Sequence, residues 1–286
     1  MLDILFSLYI GSSSISSSEN SELFLNEFHT SYSLSVSPTV SKEINSDRMS
    51  AGSFYSIDEN SGVPLFSLNE NKELPMASLT KLMTALIILE NHTLDEMVIV
   101  SRMATEVEGV RAWLLKGEEL SVGNLLKALL IPSANDAAIA LAEHHSGTLD
   151  VFVKEMNTRA QELAMTHTSY KNPHGLDDDG HYSSSKDLLM LVKMLWNFPV
   201  FQEIVAMKKA DIHTSYTPKR TLRSTNKLLS EEVRGVKTGT TKNAGQCLLL
   251  YVEKDRRSFF TVVLGSENRY DDSTILIDGI FEHIIW

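Results

Sequence analysis

A serine and a lysine three residues apart are the first candidates for chemistry in this sequence. Ser78 and Lys81 open a stretch, residues 78–90, in which apolar side chains recur at helical spacing. Residues three apart share a helix face, and a nucleophile needs a base within hydrogen-bond reach. Burial and the positive helix N-terminus would lower the pKa of Lys81, so that a neutral amine takes the Ser78 proton. The spacing predicts a serine nucleophile with a lysine base.

The same spacing occurs elsewhere, so the tetrad alone is not specific. Ser183 and Lys186, and Ser224 and Lys227, are also three residues apart. The ordinary interpretation of such a pair is a capped, solvated helix start. The apolar helix after Ser78 and two motifs further along the chain distinguish the first pair from the other two.

Ser133 and Asn135 form the second candidate, directly after Pro132 and between two predicted helices. Residues i and i+2 of an extended segment point the same way, so both side chains are predicted to face a cleft. Ser133 would relay a proton, and the Asn135 amide would bind a substrate carbonyl. The alternative is that Ser133 only caps the next helix.

Lys237, Thr238 and Gly239 form the third candidate, where the chain enters a predicted strand. A glycine in a strand permits close approach of a ligand to the backbone. The lysine charge and the threonine hydroxyl suit a substrate carboxylate. An ordinary turn is the alternative.

Helices and strands alternate in a pattern that predicts where these motifs lie. Strands are predicted over 53–57, 63–68 and 236–238, and a hairpin of two strands is predicted over 246–264. Six helices are predicted: 78–90, 121–132 with Ser121 as its cap and Pro132 as its end, 136–145, 148–163 with Thr148 as its cap, 184–196 with a capping box at Ser184 and its end at Trp196, and 272–286. The predicted fold class is α/β of the α+β type, an antiparallel sheet flanked by helices with a mostly helical lobe. We expect a sheet lobe over about 49–75 and 230–286, and a helical lobe over about 76–229.

Composition narrows the possible partners. The chain has 286 residues, 43% of them hydrophobic, which is enough for a substantial core, and a net charge of −11, which argues against nucleic acid. The only cysteine, Cys247, is expected to be a small buried hydrophobe. Residues 1–48 are expected to be a flexible or targeting tail, and any membrane association is expected through it alone. Its apolar start is too short to span a bilayer and lacks a basic flank.

The three motifs, in this order, resemble those of the serine D-alanyl-D-alanine carboxypeptidases, the low-molecular-weight penicillin-binding proteins with a β-lactamase/transpeptidase-like fold. The resemblance runs from about Ala51 to the end. Besides the motifs themselves, it includes the short sequence segments Ala77 and Leu82–Ala85, Asp136–Ala138, Asn172–Leu176, Asn226–Leu229, and Thr240–Thr241 with Ala244–Gly245. They fit the carboxypeptidases better than the β-lactamases.

The resemblance implies a catalytic role for three residues. Ser78 would attack the carbonyl of the penultimate D-Ala and form an acyl-enzyme, Lys81 would be the general base, and Ser133 would pass the proton to the leaving D-Ala. The implied substrate-binding residues are Asn135, Lys237, Thr238, Gly239, Thr240 and Arg269, with the Ser78 and Thr240 N–H groups as oxyanion hole. The alignment of Arg269 is loose, and a solvated surface position is the preferred interpretation of this residue.

The resemblance also implies partners and a compartment. The partners are the peptidoglycan stem peptide and β-lactam inhibitors, without a cofactor or metal, and the site of action is outside the cytoplasm. Family members often carry a C-terminal β domain and an amphipathic anchor, and the sequence ends at Trp286 without either.

Several alternatives remain open at this point. A D,D-endopeptidase acting on peptidoglycan cross-links and a weak β-lactamase would use the same residues. A module that binds penicillin or peptidoglycan without turnover is a third possibility. A metal peptidase is a fourth, because His174, His181 and Asp177–Asp179 lie close together in sequence, although no His-Glu-x-x-His motif is present.

Overall fold

The structure is a computed structural model that describes residues 37–286. Its strands are β1 (Thr39–Val40), β2 (Ser53–Asp58), β3 (Pro64–Leu68), β4 (Met97–Ile99), β5 (Glu119–Ser121), β6 (Lys209–Ile212), β7 (Arg220–Arg223), β8 (Val233–Thr241), β9 (Gly245–Lys254), β10 (Arg257–Ser266) and β11 (Ile284–Ile285). Its α-helices are α1 (Lys81–Asn91), α2 (Arg102–Glu106), α3 (Val122–Leu130), α4 (Asn135–Ser146), α5 (Leu149–Glu162), α6 (Ser185–Leu195), α7 (Pro199–Ala206) and α8 (Arg269–His283). Short 3-10 helices cover Ser46–Arg48 and Ala77–Thr80.

A five-stranded antiparallel sheet is the frame of the molecule. Its strand order is β3-β2-β10-β9-β8. The pairing of β2 with β10, with Tyr55 opposite Val262, joins an early part of the chain to a late one. β8 lies at one edge, where Gly239 is opposite Cys247 of β9. The predicted antiparallel sheet from residues 53–68 and 236–264 is confirmed, as is the predicted fold class.

Both faces of this sheet are covered. On β9, Leu249 and Tyr251 point into a core shared with α1, α3, α4 and α6, whereas Leu248 and Leu250 point into a second core with α8. Because both faces are buried, the strand reads as a continuous apolar run instead of an alternation. Cys247 lies in the first core and is fully buried, so the expectation of a small buried hydrophobe is confirmed.

The predicted helix caps are confirmed at three positions. The hydroxyls of Ser121, Thr148 and Ser184 each accept the N–H three residues on, at 3.3, 3.4 and 3.1 Å. The capping box at Ser184 is half formed. The Asp187 carboxylate accepts hydrogen bonds from residues 167–168, and so it anchors the long polar loop before α6.

Some element boundaries differ from prediction. The last helix begins at Arg269 because Asn268 caps it, accepting an N–H from the first turn at 3.5 Å. It ends at His283, and the β-branched Ile284 and Ile285 leave it as β11. The strand predicted at 236–238 is the longer β8. Residues 91–120 and 199–232, for which no element was predicted, contain the short β4, α2, α7, β6 and β7 and most of β5.

The two ends of the described chain meet. β1 pairs antiparallel with β11, with Thr39 opposite Ile285. Ile44 packs on α8, where a Cβ built on Gly279 would lie 2.5 Å from it. Residues 37–48 were expected to belong to the tail. These contacts show that the packed part of the chain extends to the N-terminal side of residue 49. The rest of the expected tail, residues 1–36, lies outside the described residues.

Within residues 37–286, no single helix is long and apolar enough to cross a bilayer; the bent pair α6 and α7 meets that requirement only when its two helices are taken together.

Candidate active site

The turn that carries Ser78 is held in an unusual backbone conformation. Ser78 lies in the 3-10 helix Ala77–Thr80, which runs directly into α1. Ala77 has a φ of 49°, in the left-handed region that favours glycine. Its carbonyl lies against Gly175, where an added Cβ would be 2.1 Å from the Ala77 oxygen. The close contact between the two backbones requires glycine at position 175.

A buried histidine fixes this turn from the other side. The Lys171 N–H donates to Nδ1 of His181 at 2.9 Å, so the remaining ring proton is on Nε2 and donates to Thr80 Oγ1 at 2.7 Å. Thr80 Oγ1 in turn donates to the Ala77 carbonyl at 2.8 Å. Burial lowers the pKa of His181 to about 4, which keeps the ring neutral and the chain of hydrogen bonds intact.

Lys81 is fully buried with its amine beside Ser78. Its Nζ lies 3.0 Å from Ser78 Oγ, 2.7 Å from Asn135 Oδ1 and 2.5 Å from the His174 carbonyl oxygen. Burial, and then the charge of Lys237, lower the pKa of Lys81 well below its usual value, against an opposing effect of Asp136. The sequence-predicted contact between serine and lysine is therefore present, with two carbonyl acceptors that the spacing did not reveal.

Ser133 lies in the break between α3 and α4, as predicted, and faces the same cleft as Ser78. Its φ is 71°, and its buried Oγ has no hydrogen-bond partner among the described residues. The cap position of α4 is occupied by Ala134, without a side-chain bond. Ser133 is thus not a helix cap, and its hydroxyl has its full bonding capacity left.

Asn135 is placed by the first turn of α4 and connects Lys81 to a loop. Its Oδ1 accepts from Lys81, and its Nδ2 donates to the Glu108 carbonyl at 2.7 Å. Its N–H donates to the Val110 carbonyl, also at 2.7 Å. Gly109 passes so close that an added Cβ would lie 2.8 Å from Nδ2. Asn135 therefore fixes both the lysine amine and the loop that brings Val110 to the cleft.

Asp136 holds the next part of that loop. From the sequence, it was named only as part of a segment that resembles the family, without a role of its own. Its buried carboxylate accepts the N–H groups of Ala112 and Leu114 at 2.9 and 3.1 Å. It lies in the first turn of α4, where the helix dipole favours a negative charge. Its type and its place at a helix start were the signals in the sequence, but its partners are distant residues.

The predicted Lys-Thr-Gly motif lies on the edge strand β8. Lys237 is buried and donates to the Thr238 carbonyl at 2.8 Å. Burial, and then the nearby Arg269, lower the pKa of Lys237 to about 7. Thr238 Oγ1 lies 2.6 Å from Thr225 Oγ1, so the Thr238 hydroxyl is oriented by a neighbour that sequence reasoning missed.

Gly239 brings β8 against the serine turn. A Cβ at this position would lie 3.0 Å from the Ser78 nitrogen, and equally close to Ala77 and the Met76 carbonyl. The glycine thus leaves the Ser78 N–H uncovered beside the strand. Thr240, the next residue, lines the cleft and bonds through its Oγ1 to Arg269.

The interpretation of Arg269 as a solvated surface residue is wrong. Its side chain is buried to 9% exposure, and it donates to the carbonyl oxygens of Gly239 and Cys247 at 2.7 and 3.0 Å and to Gln246 Oε1 at 3.0 Å. The first turn of α8 places it there. The guanidinium therefore lies behind β8 and adds positive charge to the cleft.

These groups surround one small cleft of about 170 Å³, which is lined by Ser78, Val110, Ser133, Thr225, Thr238, Gly239, Thr240, Arg269 and Tyr270. Lys81, Asn135 and Lys237 contact or flank these residues. The structure therefore brings the three sequence motifs together. Val110, Thr225 and Tyr270 were not predicted as site residues. Thr225 directly precedes the segment Asn226–Leu229 that resembles the family, and Tyr270 directly follows Arg269.

The residues considered for a metal peptidase are used in other ways. His181 holds the serine turn, and His174 Nδ1 accepts the Leu176 N–H at 3.2 Å. Asp177 binds Thr241 Oγ1 at 2.6 Å and so joins the loop to the end of β8. Over residues 37–286, the side chains grouped closely enough to share a metal ion do not include these.

The fold and the cleft define the class of the DD-peptidases and penicillin-binding proteins. The structure superposes on the Streptomyces K15 DD-transpeptidase with a TM-score of 0.79 and 26% identity, over 84% of this chain and 99% of that one. An evolved penicillin-binding protein homologue from Mycobacterium tuberculosis gives a TM-score of 0.79 and 28% identity, over 86% and 96%.

The chain belongs to the D-alanyl-D-alanine carboxypeptidase family, peptidase family S11, whose profile matches residues 39–268. It is 36% identical to D-alanyl-D-alanine carboxypeptidase DacF of Bacillus subtilis over 235 residues, and this aligned region covers 79% of this chain and 60% of DacF. It is 31% identical over 230 residues to a D-alanyl-D-alanine endopeptidase of Pseudomonas aeruginosa, 78% of this chain and 73% of that protein.

Proposed function

We propose that this protein is a serine D-Ala-D-Ala carboxypeptidase that removes the terminal D-Ala from peptidoglycan stem pentapeptides. The observation that carries the proposal is the 3.0 Å separation of Ser78 Oγ and Lys81 Nζ in a buried turn. The family supplies the reaction class, and similarity to DacF supports the substrate. The matched region spans 60% of the length of DacF.

Lys81 is proposed as the general base because of what surrounds its amine. A neutral amine has two N–H donors and one lone pair. The Asn135 amide oxygen and the His174 carbonyl take the two donors. The lone pair is then left for the Ser78 hydroxyl, which donates its proton as it attacks. The lowered pKa supplies this neutral form at a lower pH than an exposed lysine would.

The backbone N–H groups of Ser78 and Thr240 are proposed as the oxyanion hole. Gly239 lets the two backbones approach without a side chain between them. Donors of this kind are typically worth about 3 kcal/mol each in the transition state. The arrangement suits the negative oxygen that develops when the Ser78 oxygen adds to a carbonyl carbon.

The remaining roles follow the path of the proton and the substrate. Ser133, with a free hydroxyl in the cleft, passes the proton to the leaving nitrogen as the bond between carbonyl carbon and nitrogen breaks. Lys237, Thr238 and Arg269 bind the terminal carboxylate, and Asn135 holds Lys81 and the peptide. Water then hydrolyses the Ser78 ester and regenerates the hydroxyl.

We also propose the setting in which the enzyme works. Its substrate lies outside the cytoplasm, and the same serine is acylated by β-lactams. The catalytic domain comprises residues 49–286, with a sheet lobe of about 49–75 and 230–286 around a helical lobe of about 76–229. Of the expected tail, residues 1–48, the part before residue 37 serves as the segment through which any membrane association would occur. The paired strands β1 and β11 support a slightly larger catalytic unit.

A D,D-endopeptidase is the second candidate. It is favoured by the similarity to the Pseudomonas aeruginosa endopeptidase. A groove of about 340 Å³ beside the cleft, lined by Arg111, Ala112, Trp113, Pro132, Arg220, Thr221, Leu222 and Arg223, leaves room for a longer substrate. Comparing turnover of a cross-linked peptide dimer with that of a monomeric pentapeptide decides between the two activities.

The test of the main proposal is intact mass after incubation with penicillin, followed by peptide mapping and a D-Ala release assay. We expect one adduct on Ser78 and steady release of D-Ala from a pentapeptide. Ser78→Ala should lose both while keeping the wild-type melting temperature. Ser224→Ala, which removes the serine of another Ser-x-x-Lys pair, is the matched control and should keep both.

Two results would contradict the proposal: D-Ala release by Ser78→Ala at the wild-type rate, or an adduct on another residue. A Ser78 adduct without D-Ala release from any pentapeptide would favour a binding module that has lost turnover.

A further inference from the structure

A cluster of histidine and glutamate side chains lies at the far end of α1 from Ser78. His92 is the residue at which α1 ends, Glu96 lies just before β4, and His144 is in the last turn of α4. One possible ligand atom of each lies within 4.8 Å of the others. Since α1 has 11 residues, the cluster is about 16 Å along the helix from Lys81. The proposed function does not use it.

Two ring nitrogens converge on one carboxylate oxygen. Nδ1 of His92 lies 2.7 Å from Oε2 of Glu96, and Nε2 of His144 lies 3.5 Å from the same oxygen. The other oxygen, Oε1, accepts the Thr93 N–H at 2.6 Å. The backbone therefore holds the carboxylate so that Oε2 is directed at the two rings.

A second layer of side chains fixes the ring of His92. Its Nε2 lies 2.8 Å from Nδ1 of His145, and Nε2 of His145 lies 2.8 Å from Glu155 Oε1. Because a carboxylate only accepts, His145 donates from Nε2, which leaves its Nδ1 to accept the Nε2–H of His92. Nδ1 of His92 faces a Glu96 oxygen at 2.7 Å. A shared proton or a metal ion between these two atoms accounts for their separation, and the nearby His144 nitrogen offers a third ligand atom.

We propose that it is a metal ion, zinc, bound by His92, Glu96 and His144 with water as a fourth ligand. Zinc lies about 2.0–2.2 Å from nitrogen and oxygen ligands, so the ligand atoms of a tetrahedral site are about 3.3 Å apart. The Glu96–His144 separation of 3.5 Å is close to this value, and the His92–Glu96 separation of 2.7 Å would open by about 0.6 Å around the ion. The side chains are 14%, 37% and 24% exposed, which leaves room for entry and for water.

The arrangement behind His92 is of the kind that orients zinc-bound imidazoles. A zinc-bound histidine normally donates its other N–H to an acceptor that is itself held in place. Here the acceptor is His145, which Glu155 holds. The ion would connect the end of α1, the segment before β4 and the end of α4. Its effect is therefore on the stability of the helical part, at a distance from the cleft.

Zinc chloride titrated into the full chain, after dialysis against a chelator, tests this inference by calorimetry and thermal unfolding. We expect one zinc per chain and, at a hundredfold excess over Kd, a melting temperature raised by roughly 5–10 °C. X-ray absorption at the zinc edge should show two imidazoles and oxygen ligands. Penicillin acylation should be the same with and without zinc.

Variants identify the ligands. His92→Gln and His144→Gln should each lose the zinc-dependent rise in melting temperature. His167→Gln is the matched control, because His167 is 39% exposed and lies 3.5 Å from Glu73 in another part of the surface; it should keep the full rise. Glu96→Gln provides a third ligand variant should either histidine variant fail to fold.

The inference is overturned if the wild type shows no rise, which would mean that a proton alone lies between His92 and Glu96. It is also overturned if His92→Gln and His144→Gln respond to zinc like His167→Gln, or if absorption shows sulfur or three imidazoles. None of these results bears on Ser78, since acylation is measured separately.

Discussion

At the scale of the residue, the cleft depends on two buried lysines in different surroundings. Two carbonyl oxygens around Lys81 hold its N–H groups and leave its lone pair for Ser78. Lys237 has a single carbonyl partner, and burial with Arg269 nearby lowers its pKa to about 7. The neutral form is useful at Lys81, and the charged form is useful at Lys237, where a carboxylate would bind.

The first prediction concerns the pH dependence that Lys237 confers. As pH rises through about 7, the free enzyme loses the Lys237 charge, so kcat/KM should fall on the alkaline side. Arginine stays charged, and so Lys237→Arg should move this decline to higher pH, whatever its absolute rate. D-Ala release measured between about pH 6 and pH 10 checks it. An alkaline limb at the same pH in both proteins would contradict the assignment.

The second prediction concerns Gly239. A methyl group there would lie 3.0 Å from the Ser78 nitrogen and block the space beside its N–H. Gly239→Ala should slow penicillin acylation by about 100-fold or more, the usual cost of losing an oxyanion donor. The melting temperature should change much less than the rate.

Gly52→Ala is the control for this experiment. Its nearest contact would be at an ordinary 3.5 Å, and it should acylate normally. Equal rates for Gly239→Ala and wild type would mean that the Ser78 N–H is not part of the oxyanion hole.

At the scale of the element, the position of α1 depends on the loop that contains His174 and His181. The loop supplies the carbonyl that holds Lys81 and the ring that holds Thr80. Gly175 contacts the backbone of Ala77 directly. The geometry of the nucleophile is therefore determined as much by the loop as by its own helix.

The third prediction is that this loop makes the protein sensitive to acid. Burial lowers the pKa of His181 to about 4, against 6.5 for an ordinary histidine. Between pH 6.5 and 4 the unfolded chain takes up a proton that the native ring does not, so stability falls as pH falls, by up to about 3 kcal/mol.

Burial also lowers the pKa of the neighbouring His174 to about 3, so His181→Gln should make this dependence shallower without removing it, and His167→Gln should leave it unchanged. Urea unfolding at several pH values measures the slope. The same slope in His181→Gln and wild type would show that His181 is not the group responsible.

The sequence predicted the long helices, their caps and the central sheet, because periodicity and cap residues are local signals. It also predicted the three motifs of the cleft. It did not predict the short pairs β4–β5 and β6–β7, whose three- and four-residue strands are too short for a periodic pattern. Several partners of Asn135 and Arg269 were missed for another reason: they are backbone carbonyls, which any residue can supply.

At the scale of the whole molecule, two cores share one sheet, and the last residues of the chain complete the smaller one. Ile284 of β11 is buried in the core with α8. The indole of Trp286 donates to Asp58 at 2.9 Å, and Arg257 lies over its ring. The last three residues thus stabilise the face of the sheet that packs on α8.

The fourth prediction follows from this arrangement. Deleting Ile284–Trp286 removes a buried isoleucine and the strand opposite β1, and should lower the melting temperature by roughly 5–10 °C. Trp286→Phe, which loses only the N–H bond, should lower it by much less. Penicillin acylation at 25 °C should be retained in both. A melting temperature unchanged by the deletion would mean that β1 and β11 do not stabilise the fold.

The pairing of Thr39 with Ile285 has a consequence for topology. Since the two ends of the described chain lie side by side, a short linker could close it into a ring, which could be reopened at the exposed Gly147 between α4 and α5. Such a circular permutant would present Lys237 before Ser78 along the chain and still fold around the same cleft. The order of motifs that identifies the family in a sequence is thus a property of where the ring is open, and the chemistry does not depend on it.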